Sequence, residues 1–454
     1  MNGVDQRWLT AIPLALFLLQ AQAQDDFFSS VDVDLDASSE DKAVTSEVFS
    51  YRGYIQLIGK YGWQTPDQNL AFERDETGLD RVRSDAFVEF RGQLSESLNW
   101  QLSAKTELDW YQWQQGDARW QLHREQLRLK DAYLDATLEN GVWLRAGNQV
   151  LAWGDSEGLS IIDILSPVDS REPGQAELQD LREAVPALML SLPTGDSVVT
   201  AVLTYKADHN RYADKDQMFY PYIGLKESGL AIHHQQPKNQ WEYALKWDLQ
   251  LNGGDISVIA GDVNDNEFSL FEIDLEQMPA TLMFEQNRVT VVGAGANRVI
   301  GSWLFRGELA RYWGQAVEVH EQYAWQHQNQ WRSMVGVEYS GVNDLTINYE
   351  INSIYAPEVL GIDTPAPAET EQWQIGHVFR IQHTALNERL TNQFWVLAMV
   401  ADATQVFRWD MSYDLSDSWA LAIAAIAYQN NSRSSTLYPF RKNDTLNGSV
   451  TFNF

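Results

Sequence analysis

The chain contains no cysteine, and among its 454 residues Lys and Arg number only 33 against 63 Asp and Glu, for a formal charge of −30. The first absence excludes a disulfide framework and any thiolate site. The second argues against nucleic acid as a partner, because phosphate binding needs clustered cations. Long apolar runs are missing too: after the N-terminus no segment reaches the roughly 18 apolar residues of a spanning helix. Catalytic signatures are lacking, with no G-x-S-x-G, no H-E-x-x-H and no phosphate loop. Ser156 and Ser160 are available as nucleophiles, but the histidines are scattered. His233 and His234 are neighbours on an expected strand, so they point to opposite faces and cannot share a metal. No enzyme activity, cofactor or metal is expected. Two classes remain open on composition, a large soluble protein and a transmembrane barrel.

What is present decides between them. Residues 9–19, LTAIPLALFLL, have the length of a signal-peptide core, and Ala21-Gln22-Ala23 follows as an A-x-A cleavage site. The expected organisation is a signal peptide at 1–23, cleaved near Ala23, an acidic periplasmic segment at 24–50, and a barrel at 51–454. In residues 98–110, Trp100, Leu102, Ala104, Thr106, Leu108 and Trp110 share one face, while Gln101, Ser103, Lys105, Glu107 and Asp109 share the other. That is the period-2 signature of a strand.

Trp100 and Trp110 are separated by ten residues. Ten residues rise about 33 Å along a strand, or about 25 Å along the membrane normal at a tilt of about 40°, the height of an outer-membrane apolar band between its aromatic girdles. Trp303 and Trp313 repeat the interval, with Phe305 and Leu309 between them. The final stretch, LNGSVTFNF, alternates to its end, and it resembles the C-terminal signal of outer-membrane barrels, with Phe452 and Phe454 as the aromatic residues read by the barrel-assembly machinery.

Short connections near 95–97, 139–141, 193–196, 237–239, 342–344 and 416–418 alternate with long ones, including 153–184, 206–226 and 251–286. Short periplasmic turns and long external loops are the barrel pattern. The expected fold is therefore an all-β transmembrane antiparallel barrel of about 18 strands, with 16 acceptable. A lipid-facing charge at mid-membrane costs about 2–4 kcal/mol, so the charged parity belongs inside. The expected lumen-lining residues are Arg52, Lys60, Glu89, Arg91, Lys105, Glu107, Asp131, Asp135, Arg145, Gln149, Arg306 and Glu308. Asp135 and Arg145 face each other if the turn at 139–141 is symmetric, either as a wall ion pair or as part of a charge ladder. Arg128 and Lys130 fall on the lipid parity, as lipopolysaccharide contacts or as solvated loop-edge charges. The long insertion at 153–184 either folds inward to narrow the channel or caps the outside, and 175–183 has the pattern of a short helix. The aromatic residues of 206–226 suit apolar or sugar-like ligands or ordinary loop packing.

Two stretches carry a resemblance. LRLKDAYLDATL, then LRAGNQVLAWGDSEGLSIIDILSPVD, on to AVPALML, and separately RVTVVGAGANRVIGSWLFRGELA, are similar to a family of proteobacterial outer-membrane proteins of undefined function, often encoded beside RND-type exporters or catabolic genes. The most specific part is Trp153-Gly154-Asp155-Ser156 together with Pro167 and Asp169; Asp155 stands where the family usually has Glu. The resemblance implies a bacterial outer-membrane barrel surrounded by lipid and lipopolysaccharide, with an exporter as a possible partner, and no settled substrate. The functional expectation is a porin-like channel for small hydrophilic or amphipathic molecules. The alternatives are a transporter of hydrophobic compounds working with an exporter, and an outer-membrane hydrolase or scaffold.

Overall fold

The computed structural model describes residues 49–63, 78–110, 125–156, 158, 160–174, 181–206, 208–213, 219–222, 229–274, 276, 278–319, 324–356, 373–400, 403–430 and 437–454. The expected signal peptide at 1–23 with its cleavage site, nearly all of the expected acidic segment at 24–50 and most of the helix expected at 175–183 lie outside the described residues.

Eighteen strands form one closed antiparallel barrel. They are β1 (Phe49–Gly62), β2 (Gly78–Ser95), β3 (Leu98–Asp109), β4 (Glu125–Thr137), β5 (Trp143–Gln149), β6 (Val185–Thr194), β7 (Ser197–Tyr205), β8 (Trp241–Leu251) and β9 (Gly254–Asp274). The ring continues with β10 (Thr281–Ile300), β11 (Trp303–Val319), β12 (Ala324–Val342), β13 (Leu345–Tyr355), β14 (Trp373–Ala385), β15 (Leu390–Met399), β16 (Thr404–Ser416), β17 (Trp419–Asn430) and β18 (Thr445–Asn453). Each strand pairs with its neighbour in sequence, and β18 returns to β1 with Tyr54 opposite Asn453. Gly53 and Phe454 exchange both backbone hydrogen bonds, at 2.9 and 3.0 Å. Closure removes the unpaired edges that an open sheet of this size would present.

The alternation read from sequence is visible in the burial. Ile55, Leu57, Leu102, Leu245, Phe305, Leu309 and Val450 are exposed on the outside, whereas Lys60, Asp85, Glu89, Lys105, Glu107, Arg306 and Glu308 are buried within the ring. Trp303 and Trp313 are among the exposed side chains, and Trp303 packs on Tyr339 at a centroid distance of 4.5 Å. Trp100 covers Gly92, where a Cβ would meet its indole ring at 2.5 Å.

The strand set differs from the sequence reading at two places that cancel in the count. Residues 251–286, read as a long loop, contain β9, the longest strand at 21 residues. The stretch 227–236, read as a barrel strand, holds only Ala231–Gln235, which pairs parallel to Thr281–Glu285 of β10 outside the ring order. Pro237–Asn239 therefore lies on the long-loop side and is not a short turn; the short turn is at Asn252–Gly253, between β8 and β9. Strand β9 escapes a period-2 reading because Ile259 and Val263 are apolar on the inner face while Val258 is apolar on the outer. A bulge between Asn264 and Phe268 then breaks the parity.

Candidate functional site

In the connection between β5 and β6, the described residues 150–156, 158, 160–174 and 181–184 fold into the barrel. Leu151, Trp153, Ile161, Ile162, Ile164 and Leu165 are buried against Ala187 and Met189 of β6, Val202 of β7, Ala244 of β8, Ile259 and Val263 of β9, Val289 and Val291 of β10, Ala310 and Tyr312 of β11 and Met334 of β12. This inner sector is apolar because protein covers it. Its glycines are shaped to the loop: a Cβ on Gly293 would lie 2.9 Å from Ile162 Cγ2, one on Gly295 3.1 Å from Ile162 Cδ1, and one on Gly261 2.5 Å from Ile164 Cδ1. Each fully buried isoleucine stabilises the docked loop by about 1.5–3 kcal/mol.

Two wall carboxylates fasten the same segment. Glu308 of β11 accepts from the backbone N–H of Asp155 and Ile161, both at 2.8 Å, and from Ser160 Oγ at 3.0 Å. Glu350 of β13 accepts from Ser156 Oγ at 2.6 Å and the Gly158 N–H at 2.9 Å. Asn297 Nδ2 donates to Asp155 Oδ2 at 2.9 Å, and Arg306 donates to the Asp155 carbonyl at 3.2 Å and to Glu338 at 2.5 Å. Within the loop, Asp163 accepts from the N–H groups of Trp153 and Gly154 and pairs with Arg182. Gly154 is required for space, since a Cβ there would overlap Ser160 Oγ. The Pro167 carbonyl accepts the Glu183 N–H at 2.8 Å, closing the base of the loop.

The other side of the loop is held by charge. Arg171 pairs with Asp169 at 2.6 Å and with Glu107 of β3 at 3.3 Å. Arg128 of β4 reaches Asp169 at 2.8 Å, Glu183 at 2.7 Å and Glu107. Arg211 lies 3.6 Å from Glu183, and Arg81 of β2 pairs with Glu172. Burial alone would raise the Asp169 carboxyl, but Arg171, Arg128 and Arg211 outweigh it and hold it well below the usual carboxylate range. Beyond this cluster, Tyr428 of β17 donates to the Pro173 carbonyl at 2.6 Å, and Arg408 of β16 donates to the Gly174 carbonyl at 3.3 Å. The loop thus touches the wall on three sides of the lumen.

The position of Arg128 corrects its assignment to the lipid side. Opposite β3, Ser103 pairs with Asp131 but Ala104 pairs with Leu129, so Lys130 is an inserted residue. The bulge reverses the parity, turning Arg128 and Lys130 inward and leaving Leu127 and Leu129 exposed. The interval from Leu129 to Ala132, three where a strand needs two, was the available signal.

Nearer the short-turn end, Arg52 and Arg91 both pair with Glu89, at 2.8 and 2.7 Å. Asp135 lies across from Arg145, 2.6 Å away, and the Arg145 guanidinium stacks 4.0 Å from the Tyr133 ring. Lys105 is 3.7 Å from Asp85, Asp131 accepts from Ser103 at 3.1 Å, and buried Gln149 donates to the Ala187 carbonyl at 3.1 Å. Lys60 is buried, 5.8 Å from the Phe219 ring. Phe219 belongs to a second apolar cluster at the long-loop mouth, where Phe219 and Tyr222 join Phe268 and Phe284 to Tyr428 and Phe440. Among the described residues no group of three or more His, Asp or Glu is arranged to hold a metal. Sequence reasoning missed Asp163, Arg171, Arg182 and Glu350, because the three loop residues lie in irregular chain and Glu350 differs in no way from other inward carboxylates.

The two stretches of family resemblance are therefore one assembly in space, Ile162 and Ser160 of the first seated on Gly293 and Glu308 of the second. A family model matches residues 83–453. The chain belongs to the DUF1302 family of proteins of unknown function. No curated protein matches the sequence. Among solved structures, this DUF1302 chain is similar to OccAB2 of Acinetobacter baumannii, with a TM-score of 0.51 at 11% identity, over 89% of this chain and 98% of that one. It is similar also to a BenF-like porin from Pseudomonas fluorescens, with a TM-score of 0.51 at 7% identity over 90% and 98% of the two chains. OccK2 of Pseudomonas aeruginosa, in complex with glucuronate, gives 0.53 at 8% identity over 89% and 98%. At these identities the likeness is one of fold.

Proposed function

We propose that this protein is a channel of the bacterial outer membrane that passes small hydrophilic or amphipathic solutes around a loop folded into its bore. The observation that carries this reading is the attachment of the described residues of this loop, apolar on β6–β12 and ionic on β2–β4. Such a loop narrows the bore while charged walls line what is left of it. The exposed apolar belt supports placement in lipid. The similarity to a BenF-like porin, and to a barrel that binds glucuronate, points the same way. Ser156 and Ser160 serve as loop fasteners on Glu350 and Glu308, which favours transport over hydrolysis. A second reading, passage of hydrophobic compounds, is favoured by the apolar inner sector.

Conductance in planar bilayers tests the first reading. The mature chain is expected to give small stable steps, and Asp169→Asn with Glu172→Gln, which frees the ionic side of the loop, is expected to enlarge them severalfold. No step from either protein would overturn it.

A further inference from the structure

Arg311 of β11 lies on the lipid side of the wall. It shares the outward parity of Leu309 and Trp313, both exposed, while Ala310 and Tyr312 are buried on the inner side. Two residues separate it from Trp313, which sets it about 5 Å below the long-loop girdle along the membrane normal. A lipid-facing arginine costs about 2–4 kcal/mol at mid-membrane but only about 0–1 kcal/mol near the interface. Its head therefore belongs at the girdle, where its long stem can carry it. The guanidinium carbon lies 4.9 Å from the centre of the Trp331 ring. Trp331 is its register partner on β12, and the row continues to Tyr355 of β13 and Trp373 of β14, whose rings stack at 4.4 Å.

This row offers donors and no carboxylate. Indole N–H groups donate and cannot accept. Within β11–β14, from the short turns up to this row, the acidic residues are Glu308, Glu338 and Glu350. All three turn inward, to the loop or to Arg306. Among the described residues no carboxylate reaches Arg311. The next strand shows the contrast. Arg288 of β10, just beyond the Thr290 that faces Trp313, pairs with Asp262 at 2.8 Å and donates to the Trp241 carbonyl at 2.6 Å. One outward arginine has its anion built into the wall, and the other meets only a ring and lipid. In a chain of formal charge −30, the outer face of β11–β14 is a sector that does not repel an anion.

We propose that Arg311 and this aromatic row bind a phosphate group of a lipopolysaccharide anchor in the outer leaflet. The guanidinium fork takes the phosphate oxygens. The indole N–H groups of Trp313 and Trp331 add donors, and the acyl chains run down over exposed Leu309, Val335 and Ile351. The sequence pattern places such a contact at Arg128 and Lys130, but both turn inward, and the role falls to β11. The site rests on placement in the outer membrane and not on the passage of solutes, so loss of the channel reading leaves it standing.

The test adds bisphosphorylated lipid A to the full mature chain in dodecyl maltoside and counts bound lipid by native mass spectrometry. One lipid per barrel is expected. Arg311→Gln is expected to lower the bound fraction about tenfold, the loss of a charge-assisted pair. Arg311→Lys, which keeps the charge but not the fork, should lose less. Arg389→Gln removes an arginine that lies on Tyr413 at the short-turn end, and should bind as the unaltered chain does. Unchanged binding to Arg311→Gln, with the barrel intact as a heat-modifiable band, would overturn the site. Equal binding of lipid A stripped of its phosphates would also overturn it, leaving an ordinary lipid annulus. Displacement of the lipid by millimolar inorganic phosphate would overturn the lipid assignment in favour of free anions. Should Arg311→Gln not fold, Trp331→Leu removes the ring that holds the guanidinium; binding is expected to fall several-fold, and full binding there would sink the proposal.

Discussion

Ile162 of the inward loop lies against Gly293 of the barrel wall, so closely that a single added methyl would come within 2.9 Å of it. Gly293→Val is expected to expel the isoleucine and weaken loop docking by about 1–3 kcal/mol, the usual effect of overpacking. The barrel itself should still form, seen as a heat-modifiable band in gels, while limited proteolysis cuts within 156–182 much faster than in the unaltered protein. Unchanged proteolysis would count against the packing.

Glu308 holds three donors of the loop. Glu308→Ala leaves buried N–H groups unsatisfied, at about 1–3 kcal/mol each. Enlarged and noisier single-channel steps are expected, together with faster hydrogen exchange at Asp155 and Ile161. Glu308→Gln retains an acceptor and should fall between the two.

The loop's ionic attachment has a defined acid limit. Asp169 is held below the usual carboxylate range, so its stabilisation is complete above the unfolded value of about 3.9 and is lost only as pH falls through the lower folded value. Conductance is therefore expected to be flat from neutral pH to the ordinary carboxylate range and to rise in stronger acid. In Asp169→Asn the larger steps should be present at neutral pH and the acid-induced rise reduced. A rise near pH 6 would assign control of the loop to another group.

Asp135 and Arg145 make a part-buried pair across adjacent strands. Arg145→Ala is expected to lower stability by at most about 1 kcal/mol. A larger change in ion selectivity than in melting temperature would mark the pair as part of the solute path.

The barrel class was legible in sequence wherever one face meets lipid and the other is polar. Leu98–Trp110 and Trp303–Trp313 show both, and their strands lie where the alternation puts them. The signal failed where protein replaces water inside. Strand β9 is apolar on both faces because Ile164 packs on its inner side, and period-2 contrast vanishes there. Arg128 was misplaced by one inserted residue, Lys130, which flips every side chain beyond it. The motif at Trp153–Ser156 was visible as a pattern, but its partners Glu308 and Glu350 lie about 150 and 190 residues away, and no local spacing reveals such a pairing.

A ribbon greasy on both surfaces has no sidedness of its own. In β10, Val291, Gly293 and Gly295 turn inward while Val292 and Ala294 turn outward, and exchanging the two sets would alter little for lipid. Orientation of that ribbon is supplied by the inserted segment, whose isoleucines fit only the glycine side. The plug is thus also a template: until it seats, this part of the wall has weak grounds for choosing its inside.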